Sequence, residues 1–220
     1  MNFMGNSIVK VCNLSHRYSV HWAIREINFE ITGNGVVGLL GSNGAGKSTT
    51  MNIICGVLNQ TEGEVFINEI NLRENPVEAK KYIGFLPQQP PLYSDLTVEE
   101  YLRHSAFLRL IPAEEVDAAV YQALERCSIV HFRDRLIKNL SGGYQQRVGI
   151  AQAIVHNPRF VVLDEPTNGL DDKTVKDFWE LIRREKKRGA VILLASHSKD
   201  DIRELADEIY HMNSGVLTKE

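Results

Sequence analysis

The order of apolar and polar positions divides the chain into short runs and longer periodic segments. Residues 27–31 and 63–68 alternate with period two, as half-buried strands do. The other short runs are mostly apolar, and the continuous ones among them are typical of strands buried on both faces of a sheet. The strands predicted in this way cover residues 8–12, 27–31, 35–40, 63–68, 82–86, 160–163 and 191–195.

Helices are predicted where apolar residues recur at spacings of three and four, or follow a capping signal. Thr97 and Glu100 form a capping box, and a proline suits the first turn of a helix. The segment at 14–19 is polar and turn-like except for Tyr18. One predicted helix covers residues 50–58, and two others begin at Thr97 and at Pro112. A further helix begins after Ser141 and runs to Asn157, and the last follows the capping pair Asp171-Asp172.

The composition changes near residue 90, where Gln88-Gln89-Pro90-Pro91 forms a stiff, extended connector. We therefore predict that residues 90–157 are an all-helical subdomain inserted into an α/β core. The core consists of residues 1–89 and 158–220. Because strands and helices alternate in it, we expect a mostly parallel sheet with helices on both faces.

The bulk composition narrows the class of protein. A net charge of -3 argues against a surface that coats nucleic acid, and 43% hydrophobic residues suit an ordinary globular core. The three cysteines have no paired or metal-like spacing, so they indicate a reducing compartment. No signal pattern or membrane-spanning run is present, so we expect a cytoplasmic protein that reaches a membrane only through a partner. The basic run 183–188 suits the end of a helix and solvent, with partner binding as the alternative.

Residues 41–49 fit the phosphate-binding pattern G-x-x-x-x-G-K-[ST]. The glycines let successive backbone N–H groups point into one concavity, Lys47 can reach the outer phosphates, and the Ser48 hydroxyl can bind Mg²⁺. A chance glycine-rich turn is the alternative, but the flanking strand and helix argue against it. We predict a nucleoside triphosphate site made by Gly41, Ser42, Asn43, Gly44, Ala45, Gly46, Lys47, Ser48 and Thr49.

Asp164 and Glu165 follow the apolar strand at 160–163. The carboxyl ends of parallel strands face the ligand crevice, so Asp164 can hold the hydration shell of Mg²⁺. Glu165 is placed to polarise an attacking water as a general base. A plain acidic turn that ends the strand is the alternative for this pair alone.

The third motif is Leu140-Ser141-Gly142-Gly143-Tyr144-Gln145, a bare helix N-terminus that offers a second anion site. Together with residues 41–49 and Leu163-Asp164-Glu165-Pro166-Thr167, it resembles the ATP-binding cassette ATPases over essentially the whole chain. The resemblance implies a phosphate-loop NTPase core with an N-terminal antiparallel β part and an inserted helical subdomain. It also implies that Ser141, Gly142 and Gly143 close over the ATP held by a second subunit.

Other positions match the family one at a time. Tyr18 resembles the aromatic residue that stacks on adenine, with a half-buried turn tyrosine as the alternative. Gln88 resembles the glutamine that touches Mg²⁺ and water, although its neighbour Gln89 is not excluded. Residues 168–171 resemble the loop that contacts the partner subunit, and Asp171 can also be only a helix cap. His197 resembles the switch histidine that holds the γ-phosphate, so the implied catalytic set is Glu165, His197 and Lys47, and the implied Mg²⁺ set is Ser48, Gln88 and Asp164.

The leading hypothesis is the ATP-hydrolysing subunit of a membrane transporter. Two copies, or a copy and a homologous subunit, would close around two ATP and drive a transmembrane permease. The local sequence at residues 84–88 and 91–98 resembles bacterial exporter-type cassettes of the multidrug or gliding-motility-associated kind. The sequence after Met212 leaves little room for the C-terminal extension that many relatives have. A soluble cassette ATPase, for example in iron–sulfur assembly, is the alternative. A non-hydrolysing scaffold is disfavoured by Glu165 and His197.

Overall fold

The structure is a computed structural model that describes residues 7–220. The strands in this range, in chain order, are β1 (Ser7–Tyr18), β2 (His21–Thr32), β3 (Gly35–Leu40), β4 (Glu62–Ile67), β5 (Ile70–Asn71), β6 (Ile83–Leu86), β7 (Phe160–Asp164), β8 (Val191–Ser196), β9 (Glu208–Asn213) and β10 (Val216–Lys219). The α-helices are α1 (Lys47–Ile54), α2 (Pro76–Lys80), α3 (Val98–Leu108), α4 (Val116–Arg126), α5 (Gly142–Ile154), α6 (Asp172–Lys187) and α7 (Lys199–Leu205). Short 3₁₀ turns cover Val130–Phe132 and Ile137–Asn139.

Two sheets organise these elements. The larger has the strand order β10-β9-β3-β8-β7-β6, and all its neighbours pair in parallel except β10 with β9. The smaller is antiparallel, with the order β2-β1-β4-β5. The predicted α/β class, with a mostly parallel sheet and an antiparallel N-terminal part, is confirmed.

The central strands of the larger sheet are apolar because both of their faces are buried. Val36 and Leu40 of β3 join one hydrophobic cluster, and Val37 and Leu39 join the other. β7 and β8 divide their side chains between the two clusters in the same alternating way. Every residue of β3, β7 and β8 is buried, so these strands set the rigid platform on which the loops at their carboxyl ends stand.

The turn expected at 14–19 is wrong. β1 continues through this segment to Tyr18 and pairs with β2, which begins at His21. Shifts in the pairing register between Val11 and Arg17 break the period-two pattern, so Ser15 and His16 are buried although the segment reads as polar. Irregular pairing of this kind leaves no simple trace in the sequence.

Helix limits also differ from those predicted. α1 begins at Lys47 and ends at Ile54, because Gly56 adopts a left-handed backbone with φ 66°. α4 begins at Val116, after a turn that Pro112 opens. The sequence did not predict β5, α2, α7, β9 or β10.

Three helices, α3 to α5, lie between β6 and β7, within the segment predicted to be helical. The capping box of α3 is confirmed, because Glu100 N donates to Thr97 Oγ1 and Thr97 N donates to Glu100 Oε2. α4 is tied to α6 by a buried ion pair between Arg126 and Glu185. No helix within residues 7–220 has the length and apolar character needed to cross a membrane.

Candidate functional site

The loop between β3 and α1 curls around the side chain of its own lysine. Lys47 Nζ donates to Gly41 O at 2.7 Å and to Ser42 O at 3.2 Å, and only 5% of this residue is exposed. Gly46 has φ 111° and precedes α1 without a side-chain cap. The first N–H groups of α1 therefore lack a protein cap at the place where phosphate oxygens would be bound.

A hairpin supports this loop from behind. Gly215, in the turn between β9 and β10, donates its N–H to Ala45 O at 2.9 Å and accepts from Arg25 N at 2.9 Å. A Cβ on Gly41 would lie 2.5 Å from Met212 O, and a Cβ on Gly46 would lie 2.7 Å from Ile24 Cγ2. Both glycines are therefore required by the close approach of neighbouring backbone and side chains.

Two adjacent carboxylates at the end of β7 have different partners. Asp164 is buried, and this burial raises the pKa of its carboxyl group, while the Ser48 side chain beside it lowers that pKa in part. Glu165 is also buried, and its Oε1 lies 3.2 Å from Lys47 Nζ. The Glu165 backbone is left-handed, with φ 48°, a conformation that costs a non-glycine residue about 1–3 kcal/mol and is often found at functional sites.

His197 reaches the same place from the neighbouring strand. It follows β8 directly, and its Nδ1 lies 2.8 Å from Glu165 Oε2, which also accepts from His197 N at 3.3 Å. Half of the His197 side chain remains exposed. Lys47 and His197 thus both contact Glu165, and the His197 imidazole lies on the solvent side of this buried carboxylate.

The serine-glycine motif lies elsewhere. Ser141 precedes α5 with an extended backbone, and Ser141 and Gly142 are exposed. Behind them is a cavity of about 220 Å³ between the starts of α5 and α6, where a Cβ on Gly143 would lie 2.7 Å from Thr174 Cγ2. No residue of the 41–49 loop lines this cavity. The two predicted anion sites therefore do not share this cavity within one chain.

Comparison with known proteins decides the family. The model of the ABC transporter family matches residues 24–168. This chain belongs to the ATP-binding cassette transporter family. The cassette is 34% identical to the lipopolysaccharide export ATP-binding protein LptB of Haemophilus influenzae, over 96% of this chain and 89% of that protein. It is 32% identical to the bacitracin transport ATP-binding protein BcrA of Bacillus licheniformis, over 98% of this chain and 70% of that protein.

Solved structures agree with this assignment. The cassette superposes with a TM-score of 0.86 on cbiO1 from Clostridium perfringens, part of the transporter complex cbiONQ, at 31% identity over 97% of this chain and 87% of that one. It superposes with a TM-score of 0.85 on the cassette MJ0796, a dimer in a post-hydrolysis state bound to ADP and Pi, at 28% identity over 96% of this chain and 98% of that one. The cassette is accordingly an ATPase that binds adenine nucleotide.

The surroundings of Asp164 suit a divalent cation. Its Oδ1 is buried without a hydrogen-bond partner among the described residues, and Ser48 supplies a hydroxyl beside it. Hard cations such as Mg²⁺ prefer oxygen ligands of this kind and complete their shell with water and phosphate. Gln88 is exposed just after β6, and no side-chain hydrogen bond is recorded for it within residues 7–220. Gln88 thus lies just beyond the end of β6 and is not hydrogen-bonded to Asp164.

Tyr18 is the last residue of β1 and does not lie in a turn, and about half of its surface is exposed. Its ring packs edge-on against His16, with ring centroids 4.7 Å apart. His16 is a residue that sequence reasoning missed, because its burial accompanies the register shifts of β1. Sequence reasoning also missed the hydrogen bond from Thr167 to Asp201, which joins the residues after Glu165 to those after His197.

Proposed function

We propose that this cassette is the nucleotide-binding subunit of a membrane transporter and works as a pair of copies, or with a homologous subunit. Each ATP would lie between the 41–49 loop of one copy and Ser141, Gly142 and Gly143 of the other. The observation that carries this proposal is the separation of the two anion sites within one chain. Lys47, Glu165 and His197 meet in a single contact set, while the exposed start of α5 lies apart from them.

The side chains divide the work of hydrolysis in this proposal. Glu165 polarises the attacking water as general base, and His197 holds Glu165 by the 2.8 Å contact and presents its exposed edge to the γ-phosphate. Lys47 moves from backbone carbonyls to phosphate oxygens, which attract its charge more strongly. Ser48, Asp164 and Gln88 would hold Mg²⁺, and the bound ion would neutralise charge on the phosphates. Tyr18 offers its exposed ring to the adenine.

The variant Glu165→Gln tests the central role. We expect it to retain ATP and Mg²⁺ binding, because the amide preserves size, and to lose turnover by roughly 10²–10⁴-fold with the general base. ATP should then accumulate in a dimer visible by size-exclusion chromatography with light scattering. Glu180→Gln, at an exposed position of α6, is the matched control and should hydrolyse ATP normally. Hydrolysis at the parent rate by Glu165→Gln would refute the assignment.

A groove of about 430 Å³ supports the proposal of a membrane partner. It lies between the end of α1, α2 and the end of α3, and its rim carries Val57, Val77, Leu108 and Leu110, each more than 60% exposed. Exposed apolar side chains grouped in this way are typical of an interaction surface.

The charges of this groove indicate the chemistry of its occupant. Arg109 is partly buried there, donates to Lys80 O at 3.2 Å, and has no carboxylate partner within residues 7–220. Lys80 also has none in that range, and Lys81 is paired with Glu78. A partly desolvated cation without a counter-ion is unfavourable, so a partner carboxylate would gain from entering. We therefore propose that a segment of the transmembrane permease docks here with apolar side chains and at least one acidic residue.

A further inference from the structure

A side-chain hydrogen bond links the segment after Glu165 to the helix after His197. Thr167 Oγ1 donates to Asp201 Oδ2 at 2.7 Å, in a partly buried position. Thr167 lies two residues after Glu165 and directly precedes the mostly exposed loop 168–171. Asp201 lies four residues after His197, in the first turn of α7. The bond therefore crosses from one catalytic segment to the other.

Asp201 is held firmly on its own side of this bond. Its N–H donates to Ser198 Oγ at 3.3 Å, and Ser198 N donates to Ser196 Oγ at 3.0 Å, so the backbone on both sides of His197 is fixed. Ile202, the next residue, is fully buried, and a Cβ on Gly38 would lie 2.6 Å from its Cγ2. α7 is thus packed directly on β3, and Asp201 cannot shift without moving this contact.

The opposite side of the bond is a compact turn. Asn168 N donates to Glu165 O at 3.2 Å, and Leu170 N donates to Thr167 O at 3.2 Å. Together with the 2.8 Å contact of Glu165 and His197, the Thr167–Asp201 bond closes a ring. Two side-chain contacts and two short stretches of backbone, 165–167 and 197–201, form this ring, and the 168–171 loop continues directly from it.

We propose that Asp201 is a positioning residue that, through Thr167, couples the 168–171 loop to the Glu165–His197 pair. This inference rests on the proposed function, because the loop is displaced only if a second copy closes against it. Asp201 has no salt-bridge partner within the described range, and the Thr167 hydroxyl is the side-chain donor to its carboxylate. Closing of the second copy would reach the base and the histidine by this route.

Steady-state ATP hydrolysis by the full chain tests the coupling. Thr167→Val keeps the shape and removes the hydroxyl, and Asp201→Asn keeps the size and removes the charge. We expect each to lower kcat about tenfold, to leave KM for ATP within twofold, and to move the Hill coefficient for ATP toward 1. The double variant should be no worse than the stronger single one, because Thr167→Val removes the same bond that Asp201→Asn weakens. Thr167→Ser, which restores the hydroxyl, should recover most of the lost rate.

Asp200→Asn is the matched control, since Asp200 neighbours Asp201 in sequence and is exposed. Unchanged kcat in Thr167→Val and Asp201→Asn would overturn the proposal. So would a loss of rate that follows the loss of thermal stability across the variants, because that result describes a purely structural bond. The outcome is separable from that of the proposed function: Glu165→Gln would still abolish turnover if the coupling were absent.

Discussion

The adjacent acidic residues Asp164 and Glu165 have different surroundings in this cassette, and for this reason we propose different roles for them. Asp164 is buried beside Ser48 with one oxygen unpartnered in the described structure, whereas Glu165 contacts both Lys47 and His197. A buried carboxylate without full compensation is unfavourable in the folded protein, which is why burial raises the pKa of Asp164. In the proposed Mg²⁺ site, a bound cation would compensate the buried charge of Asp164.

Asp164→Asn should therefore separate stability from activity. We expect the variant, without nucleotide or Mg²⁺, to be more stable by about 1 kcal/mol, because the uncompensated charge is removed. Its Mg²⁺-dependent ATP hydrolysis should fall to background. Urea unfolding in EDTA, and phosphate release with Mg²⁺, measure the two effects. A variant less stable than the parent in EDTA would contradict the interpretation of Asp164 as an uncompensated charge; Asp177→Asn, on the surface of α6, is the control.

At the residue level, the sequence was sufficient to identify candidate residues that lie in contiguous motifs. Lys47, Asp164 and Glu165 stand in contiguous motifs next to apolar strands, so their places at the sheet edge followed from the strand pattern. Asp201 and His16 stand in no such motif. The bond from Thr167 to Asp201 spans 34 residues and depends on how α7 packs on β3, which the local pattern does not contain. The roles of the motif residues stay predictions until the variants are measured.

Elements are joined in this fold by a few buried polar contacts as well as by the core. Arg126, at the end of α4, makes a two-pronged contact with Glu185 of α6, and both side chains are more than 90% buried. Arg126 also donates to Asn157 Oδ1 at 3.2 Å. This set fastens the helices between β6 and β7 to the face of the larger sheet that α6 covers.

A double-mutant cycle on this pair should show strong coupling. Arg126→Met and Glu185→Leu should each lower the free energy of unfolding by about 3–5 kcal/mol, because each leaves a buried charge without a partner. The double variant should lose much less, since both charges are gone. Urea unfolding of the four proteins measures this. Additive losses in the double variant would contradict a direct coupling, and Arg103→Met with Asp117→Leu, at an exposed pair, is the control cycle with little coupling.

Elements with a regular pattern were predicted well and irregular ones poorly. The seven predicted strands lie within or overlap strands of the structure, because continuous apolar runs and clean alternation leave few alternatives. α7 was missed because it is only seven residues long and mostly charged. β9 and β10 were missed because their burial depends on pairing at the edge of the sheet.

At the scale of the whole molecule, two surfaces within residues 7–220 are candidates for partner binding. One is the exposed start of α5, and the other is the groove rimmed by Val57, Val77, Leu108 and Leu110. We propose that the first receives a second cassette and the second receives the permease. Because α3 and α5 belong to one hydrophobic cluster with β7 and β8, force applied at the groove would reach the nucleotide site through packed side chains.

The groove is tested by changing its rim. We expect Leu110→Glu and Arg109→Glu to release the cassette from native membranes into the soluble fraction, because each places negative charge where an acidic partner segment would dock. ATP binding by the purified variants should stay within twofold of the parent. Tyr121→Glu, an exposed aromatic position of α4 outside the groove, is the control and should remain membrane-associated. Equal membrane association of all three variants would contradict docking in this groove.

The hairpin behind the phosphate loop gives the last residues an unexpected importance. Gly215 joins the loop at Ala45 to β2 at Arg25, yet no nucleotide-binding motif lies after residue 197. A Cβ on Gly215, at φ 81°, would lie 2.6 Å from Ala23 O. A substitution at Gly215 would therefore weaken ATP binding by displacing the loop at Ala45, although Gly215 itself lies outside the phosphate-binding motif.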